Sequence, residues 1–309
     1  YIHSAIESAV SQTWPNKEII VVDDGSKDDT YQIASSFNSP FVRVVSQNNR
    51  GASAARNYAL LLSKGDYIQW LDSDDILSVD KITKQIEGAE NGKTSNVLIA
   101  GAWGSFISSE KESQFSSNSL WEDLQPVEWL YRKMDENLWF PPMAFLVSRK
   151  LTTMAGPWNE SLSLDDDGEY FCRILCCSTR IRFVPESRCF KRSALGLSSS
   201  HNLNDKKLNS QSYSILFNIK KLLELENSQR TRQACCKLLN RWSIYFYPER
   251  MDIFETMRSR VTELGGTFQK PKLRSKYALL QYIFGFRIAK KIQFTIPVFW
   301  FLLKKSLVK

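Results

Sequence analysis

Three carboxylates follow directly after an apolar, β-prone stretch in the first quarter of the chain. The stretch Tyr67–Leu71 runs into Asp72, Asp74 and Asp75. Three acids packed together repel one another unless they share a cation. Asp72 and Asp74 are two residues apart, so in extended backbone both side chains point to the same side. Hard carboxylate oxygens suit Mg²⁺ or Mn²⁺, which indicates a divalent-cation site; a solvated Asp-rich turn is the alternative.

Two further groups of acids stand where they could act on a ligand. Asp23 and Asp24 end a short β-branched stretch, Glu18–Val22, and Asp165–Asp167 precede a predicted helix, Tyr170–Cys177. Neighbouring carboxylates raise one another's pKa, and a carboxylate with a raised pKa accepts a proton readily. The 165–167 group is therefore a candidate general base. Acids that complement the dipole of the following helix are the alternative explanation.

Strands and helices alternate over the first hundred residues. This alternation predicts an α/β fold with a mostly parallel sheet, in which ligands bind beyond the carboxyl ends of the strands. The acids at 23–24 and at 72–75 follow such ends. The predicted strands are 18–22, 41–46, 66–71 and 97–100, and the predicted helices are 1–13, 29–37, 53–63 and 79–90.

The second part of the chain differs in composition. From about Asn202 onward the sequence is helical without strand signals, so we divide the chain into an α/β domain, 1–200, and a C-terminal helical region, 201–309. The net charge is +8, but no acid occurs from Leu264 to the end, so the basicity belongs to this tail. A main body without excess positive charge argues against a nucleic-acid partner.

Cysteine usage and hydropathy predict the compartment. The six cysteines include no C-x-x-C pair, which favours reduced thiols and a cytoplasmic protein. The longest apolar run, Phe294–Leu303, is shorter than the ~20 residues of a spanning helix. Basic residues on both sides of this run instead predict peripheral attachment at the anionic inner face of a membrane. An apolar helix docked on the catalytic domain is the alternative.

Several motifs occur in a fixed order over residues 1–200, and a late acidic pair before a helix completes them. As an ordered set they resemble the family 2 glycosyltransferases of the GT-A fold, which transfer a sugar from a nucleotide-sugar. The motifs are Gln12-Thr13-Trp14-Pro15-Asn16, Val21-Val22-Asp23-Asp24-Gly25-Ser26, Asn49-x-Gly51-x-Ser53-x-Ala55-Arg56-Asn57 and Asp72-x-Asp74-Asp75.

The resemblance implies roles for the residues of the donor side. Asp23 and Asp24 would hydrogen-bond the nucleoside of the nucleotide-sugar. Gly51 would permit a tight turn, and Arg56 would reach the donor phosphate or nucleoside. For Asp24 a local turn or helix-capping role is the alternative, and for Arg56 the alternative is an ordinary surface arginine.

The same resemblance implies the metal and the base. Asp72 and Asp74 would position the donor ribose and a Mg²⁺ or Mn²⁺ ion on the diphosphate, with Asp74 as the direct ligand. Asp167 would be the catalytic base, and Asp166 would orient the acceptor. Family members usually carry Glu-Asp where this chain has Asp166-Asp167.

Aromatic residues and one histidine are further candidates. Trp139, Phe140 and Trp158 could form a platform for an acceptor, because sugar faces stack on aromatic rings; plain core packing is the alternative. His201 could be a late metal ligand, as in some relatives, or an exposed loop residue.

Two departures from the family pattern lead to expectations of their own. The first strand of the family should precede Tyr1, so we expect this chain to be a fragment with an open strand edge beside Glu18–Val22. Processive synthases carry Gln-x-x-Arg-Trp, but Leu238 occupies the Gln position before Arg241-Trp242. Transfer of a single sugar is therefore favoured over polymerisation.

Together with these features, the resemblance implies a metal-dependent, inverting hexosyltransferase of cell-surface polysaccharide biosynthesis. It would move one sugar, from a UDP-sugar, to a saccharide or lipid-linked acceptor. A catalytically impaired fragment that binds nucleotide-sugars is one alternative, motivated by the missing first strand. A phospho-receiver signalling domain is another, because paired acids at a strand end also describe phospho-acceptor sites.

Overall fold

The computed structural model describes residues 1–89, 96–193 and 204–306, with side chains described up to residue 294. The described strands are β1 (Ile19–Asp23), β2 (Val42–Ser46), β3 (Tyr67–Ile68), β4 (Ile76–Leu77), β5 (Val97–Phe106), β6 (Gln114–Phe115), β7 (Phe145–Ser148) and β8 (Arg180–Arg192). The described helices are α1 (Ile2–Val10), α2 (Thr30–Ser35), α3 (Ala52–Leu62), α4 (Lys81–Gly88), α5 (Pro126–Glu136), α6 (Arg149–Ala155), α7 (Asp166–Cys177), α8 (Asp205–Leu225), α9 (Gln229–Phe246), α10 (Met251–Glu263) and α11 (Ala278–Ser306).

β1 and β2 form a small parallel sheet. Ile19 lies opposite Val42, and the register continues to Asp23 opposite Ser46. α3 packs against β1, which brings the start of that helix close to the carboxyl end of the strand. Within the described residues β1 has no second strand partner. Whether a further strand belongs there stays a prediction.

The larger sheet has the order β3-β7-β5-β8-β4, with β6 paired to β5. β5 and β8 run parallel, but the β3–β7, β5–β7, β4–β8 and β5–β6 pairs are antiparallel. The α/β class is confirmed, whereas the expected mostly parallel pairing is wrong in this sheet. The direction of a strand depends on the side from which its connection enters the sheet, and the residues of the strand do not encode that side.

The longest strand, β8, has no counterpart among the sequence-based predictions. It spans 13 residues, Arg180–Arg192, and its buried positions do not alternate regularly. The register against β5 shifts between Gly101 and Ala102, so that residues 185–187 bulge out of the ladder. Pro185 lies in this bulge, where its missing N–H costs no ladder hydrogen bond. A strand interrupted in this way loses the period-2 pattern by which strands are recognised.

The core lies on both faces of β5. Leu98, Ile99 and Ala100 are completely buried, as expected for a continuous apolar run covered by helices on either side.

The amine of Lys81 is also buried and donates to Gln85 Oε1 at 2.5 Å and to Gln69 Oε1. Burial lowers the pKa of Lys81 to about 7. This polar network fixes the segment that leads from β3 to the acidic turn at residue 72.

The chain divides into two compact units. The first comprises 1–193 and 210–226, and the second 194–209 and 227–309. The expected boundary at residue 200 falls in 194–203, outside the described residues, and stays a prediction. The described part of the second unit is helical, as expected, and α11 is interrupted at Gly285, where φ is 77°. Among the described helices, none combines the length and apolar character needed to cross a membrane.

Candidate active site

Asp24 shapes the loop that follows β2. Its carboxylate accepts hydrogen bonds from Gln47 Nε2 at 2.7 Å and from the backbone N–H groups of Arg50 and Gly51 at 2.8 and 2.7 Å. Gly51 has a φ of 95°, in the region that glycine adopts without strain. Because three donors already engage the carboxylate of Asp24, its visible role is to hold this loop. A contact between Asp24 and a nucleoside stays a prediction.

Asp23, unlike Asp24, has a carboxylate oxygen that is open to accept a hydrogen bond. It ends β1 and is buried, and its Oδ2 accepts a hydrogen bond from the backbone N–H of Ser26 at 3.3 Å. Its Oδ1 is also buried and has no hydrogen-bond donor among the described residues. A buried oxygen without a donor is costly, so this atom is a candidate to accept a hydrogen bond from a ligand. An N–H or hydroxyl of a donor molecule would fit this oxygen.

Arg56 connects the turn at residues 72–75 to the acids at the start of α7. Its Nη2 donates to Asp72 Oδ1 and its Nη1 to Asp166 Oδ2, both at 2.8 Å. The guanidinium lies over the ring of Trp158, 4.4 Å from the centroid. Burial acts to lower the pKa of Arg56, but Asp72 and Asp166 outweigh it and the pKa is raised. Arg56 therefore stays charged and fixes two carboxylates that are 94 positions apart in sequence.

The three acids of the 72–75 turn have different environments. Asp75 is buried, and its Oδ1 accepts a hydrogen bond from the backbone N–H of Arg192 at 2.9 Å. Burial, reinforced by Asp72 and Asp74, raises the pKa of Asp75 to about 7. The carboxylate of Asp74 accepts no hydrogen bond from the described residues, and only its backbone oxygen is engaged, by Arg192 Nε at 3.0 Å. Asp75 therefore anchors the turn, while Asp74 presents a free carboxylate.

These carboxylates fit a divalent cation that is shared with a substrate. The described residues contain no group of three or more side chains placed to hold a metal ion by themselves. Mg²⁺, however, commonly takes one or two carboxylates and completes its coordination with water and substrate phosphates. The free carboxylate of Asp74 and the second oxygen of Asp72 match that requirement. The residues present thus fit Mg²⁺ or Mn²⁺ bound together with a diphosphate.

Asp165, the residue directly before α7, is held in an uncommon backbone conformation. Asp165 has a φ of 57°, and its Oδ2 accepts a hydrogen bond from Gln211 Nε2 on α8 at 3.0 Å. Ser210 Oγ accepts from the backbone N–H groups of the two residues before Asp165, both at 3.0 Å. A Cβ at Gly168 would lie 2.3 Å from Asp165 Oδ1. The glycine therefore lets the carboxylate of Asp165 fold back over the first turn of α7.

Asp167 has the properties of a proton acceptor near neutral pH. Its Oδ1 accepts a hydrogen bond from the backbone N–H of Gly168 at 2.9 Å, and its Oδ2 receives none from the described residues. Burial, followed by the carboxylates of Asp165 and Asp166, raises the pKa of Asp167 to about 7, although Arg56 opposes the shift. A base is most effective when its pKa is near the working pH.

Asp166 is engaged in a different way. Its Oδ2 accepts hydrogen bonds from Ser53 Oγ at 2.9 Å and from Arg56 at 2.8 Å, so α3 holds the start of α7 through this carboxylate. Capping of the helix dipole accounts for acids in a first turn in general. It does not account for a carboxylate that two side chains of another helix bind.

The aromatic candidates separate by exposure. Trp158 is 2% exposed and stacks on Tyr170 at 4.0 Å between ring centroids, and Phe140 is also buried. The expectation that these two rings form an acceptor platform is wrong, because no face of either ring is open to a sugar. Trp139 is 38% exposed and remains a candidate. His201 lies outside the described residues.

Some residues of the site were not singled out from the sequence. Ser53 lies within the 49–57 motif but had no assigned role, whereas Gln211 and Arg192 had no local signal. Gln211 belongs to a helix whose other residues look ordinary, and Arg192 ends the unpredicted strand β8. Their contribution arises from contacts over 46 and 117 positions of sequence, to Asp165 and Asp75.

Comparison with known proteins finds a family whose model matches part of this chain. The model of glycosyl transferase family 2 matches residues 1–150. An Escherichia coli protein described as UDP-Glc:alpha-D-GlcNAc-diphosphoundecaprenol beta-1,3-glucosyltransferase WfaP is 44% identical over 93 residues, which is 30% of this chain and 37% of that protein. Escherichia coli chondroitin synthase is 45% identical over 84 residues, 26% of this chain and 12% of that protein. The chain thus matches well under half the length of these relatives.

Solved structures show the same fold over a longer stretch. A crystal structure of a portion of S. aureus TarS in complex with UDP-GlcNAc has a TM-score of 0.66 and covers 85% of this chain and 77% of its own. The sequence identity is 16%, so this likeness concerns the fold, which is GT-A. The fold, the ordered motifs and the family match agree with one another. Over residues 1–150, just under half of its length, this chain is similar to glycosyl transferase family 2.

Proposed function

We propose that the chain transfers a single sugar from a UDP-sugar to a saccharide or lipid-linked acceptor, with inversion at the anomeric carbon. The observation that carries this proposal is the junction at Arg56, which contacts Asp72 of the metal-binding turn and Asp166 beside the base, each at 2.8 Å. One side chain thus connects the residues proposed for the donor with those proposed for the acceptor. The family match favours this function over a phospho-receiver domain.

The donor is assigned to the carboxyl ends of β1 and β3. The free Oδ1 of Asp23 suits a nucleoside N–H or hydroxyl. Asp72 and Asp74 would hold Mg²⁺ or Mn²⁺ on the diphosphate, and the ion would stabilise the negative charge that develops on the leaving UDP. The choice of UDP is supported by two similar proteins, one described as using UDP-Glc and one crystallised with UDP-GlcNAc.

Asp167 is assigned as the general base. Its free Oδ2 takes the proton of an acceptor hydroxyl as that oxygen forms a bond to the anomeric carbon. The bond from this carbon to the diphosphate oxygen breaks, and its electron pair leaves with UDP. Attack opposite the leaving group inverts the anomeric configuration. Asp166, held by Ser53 and Arg56, keeps the first turn of α7 in place.

The acceptor and the location of the protein are also proposals. A lipid-linked acceptor is supported by the description of WfaP, which names a diphosphoundecaprenol. α11 exposes several large apolar side chains next to Arg287 and Lys291, which suits peripheral attachment to an anionic membrane. These side chains are Leu279, Tyr282, Ile283, Phe284 and Ile288. Flotation with anionic liposomes at low and high salt tests this; the absence of salt-sensitive binding would contradict it.

The test of the proposed function separates binding from turnover. Calorimetry of UDP with Mn²⁺ should show that Asp74→Asn weakens binding at least about tenfold, because even residues behind a metal ligand contribute that much. Asp29→Asn, at an exposed acid directly before α2, serves as the matched control and should bind like the parent. Equal affinities of the parent and Asp74→Asn would remove Asp74 from the metal site.

Turnover is measured as UDP release from UDP-glucose and UDP-GlcNAc in the presence of acceptor saccharides. Release that depends on both Mn²⁺ and acceptor supports the transferase. Metal-dependent UDP binding without release from any donor and acceptor would instead favour the alternative, a nucleotide-sugar-binding fragment with impaired catalysis.

A further inference from the structure

The second unit contains a groove that the proposed reaction does not use. It has a volume of about 1010 Å³ and lies between one face of α9 and the segment 264–272 that follows α10. No Asp or Glu lines it, and its other lining residues are mostly polar. We call it the cationic groove, after the five basic residues that line it: Arg232, Lys237, Arg241, Lys270 and Lys272.

Local structure holds the 264–272 segment over α9. Gly265 has a φ of 77° and turns the chain back after α10, and a Cβ at Gly266 would lie 2.5 Å from Cys236 Sγ. Asn240 of α9 then binds the segment twice, donating to the backbone oxygen of Thr267 at 3.2 Å and accepting from the N–H of Gln269 at 2.8 Å. The wall that carries Lys270 and Lys272 is therefore fixed to the helix that carries the two arginines.

Three of the five cations of the groove have no acidic partner among the described residues. Residues 227–309 contain four carboxylates, and each forms an ion pair outside the groove. The pairs are Glu249–Lys290, Asp252–Arg250, Glu255–Arg258 and Glu263–Arg260. Arg241, Lys270 and Lys272 form no ion pair with any described carboxylate. Cations that converge without acids raise the local positive potential and attract anions.

We propose that the cationic groove binds an anion that carries more than one phosphate group. Guanidinium groups bind phosphate oxygens through two parallel hydrogen bonds, and lysines add point charges. The N-terminus of α9, at Ser228 and Gln229, lines one end of the groove and favours an anion there. Arg241 lies nine positions after Arg232, about 14 Å further along the helix and at the opposite edge of the face that lines the groove. That length exceeds a single phosphate and suits a chain of charges. This inference stands apart from the transferase activity.

The test uses the full chain with inorganic phosphate, pyrophosphate and tripolyphosphate. Calorimetry is done in EDTA, which removes any metal-dependent binding of diphosphates by Asp72 and Asp74. We expect affinity to rise from phosphate to tripolyphosphate. The double variant Lys270→Gln/Lys272→Gln should bind tripolyphosphate about tenfold more weakly, since charge-assisted contacts contribute strongly to phosphate binding.

A matched control removes the same charge elsewhere. Lys150→Gln/Lys206→Gln alters two exposed lysines outside the groove and should keep the parent affinity for tripolyphosphate. Equal losses in both double variants would show a general charge effect and overturn the proposal. The proposal would also be overturned if tripolyphosphate does not bind and any vesicle binding is unchanged in Lys270→Gln/Lys272→Gln.

Lipid phosphate and soluble phosphate share this chemistry, and a vesicle arm distinguishes the two sources. The parent and both double variants are sedimented with phosphatidylcholine vesicles that contain or lack phosphatidic acid. Binding to the phosphatidic acid vesicles that is weakened only by Lys270→Gln/Lys272→Gln supports a lipid headgroup. Tripolyphosphate binding with the same dependence, but without vesicle binding, supports a soluble ligand.

Discussion

The acidic site of the first unit and the cationic groove of the second differ in the sign of the charged groups that lack a partner. Among the described residues of the first unit, Arg56 alone contacts carboxylates of both acidic segments, and Asp74 and Asp167 each keep a carboxylate oxygen without a described donor. In the second unit every carboxylate after residue 227 has a basic partner, whereas Arg241, Lys270 and Lys272 form no ion pair with a described carboxylate.

This difference in unpaired charge indicates the sign of the ligand that would suit each unit. An ionised group without a partner is tolerated at a surface, but several that converge in one place raise the electrostatic cost of folding. A ligand of opposite charge removes this cost. Under the two proposals, the first unit binds a cation with its nucleotide, and the second binds an anion. The predictions below alter individual charges on each side of this comparison.

The largest effect is expected for Asp167→Asn. Asn cannot accept the proton of the acceptor hydroxyl, so turnover should fall about 10²-fold or more, while the affinity for UDP with Mn²⁺ stays near that of the parent. Steady-state UDP release and calorimetry measure the two quantities. Asp29→Asn is again the control. Near-normal turnover in Asp167→Asn would assign the base to another residue.

The pH dependence of the same site follows from the raised pKa. Turnover of the parent should rise with pH through about 7 as Asp167 loses its proton, given that Asp165, Asp166, Arg56 and Lys133 set the potential around it. A profile of kcat/KM against pH measures this. A flat profile from pH 5 to 8 would contradict the assignment, since the base would then be ionised throughout.

Arg56→Lys should weaken the site next most strongly. Lysine cannot span Asp72 and Asp166 with two parallel contacts, nor stack on Trp158 in the same way. We expect turnover to fall about tenfold, as misplacement of reacting groups commonly costs that much or more. Arg50→Lys, in the exposed ion pair with Glu160, is the control and should change turnover by less than about twofold. Equal effects would show that Arg56 has no special role.

Stability should respond to Asp167 in a pH-dependent way. Its pKa is raised by folding, so the folded state binds more protons than the unfolded state between about pH 4 and 7, and stability falls over that range. Asp167→Asn removes this loss. Its melting temperature should therefore exceed that of the parent above pH 7, by about 2–4 °C per kcal/mol, and the difference should shrink toward pH 4. Thermal melts at the two pH values measure it; a constant difference would contradict the raised pKa.

The smallest effect concerns the groove. Asn240→Ala removes both hydrogen bonds that hold the 264–272 segment to α9 and leaves every cation in place. A wall that must be ordered on binding lowers affinity, so tripolyphosphate should bind about threefold more weakly. Gln233→Ala, which lines the groove but binds no part of that segment, provides the comparison for calorimetry. Tighter binding by Asn240→Ala would mean that the segment covers the groove instead of building it.

Local sequence determined much of the first unit. The predicted strand 18–22 corresponds to β1, and the predicted helix 53–63 corresponds to α3 within one residue at each end. β-branched runs and helix-length patterns act through nearest neighbours, so they are readable without the fold. Strand β8 was missed for the same reason, because its bulge at Pro185 breaks the local pattern.

The sequence by itself determined that acids end β1, follow β3 and lie at the start of α7, and that the family motifs stand in order. Only the tertiary structure decided which of these acids are engaged. Asp24 is occupied by its own loop, Asp75 by the backbone of β8, and Trp158 by the core. The partners of a side chain are set by segments many positions away, and their approach depends on sheet order and strand direction, which no local pattern encodes. For that reason Asp74 and Asp167 could be named from the sequence, but their free oxygens could be found only in the folded chain.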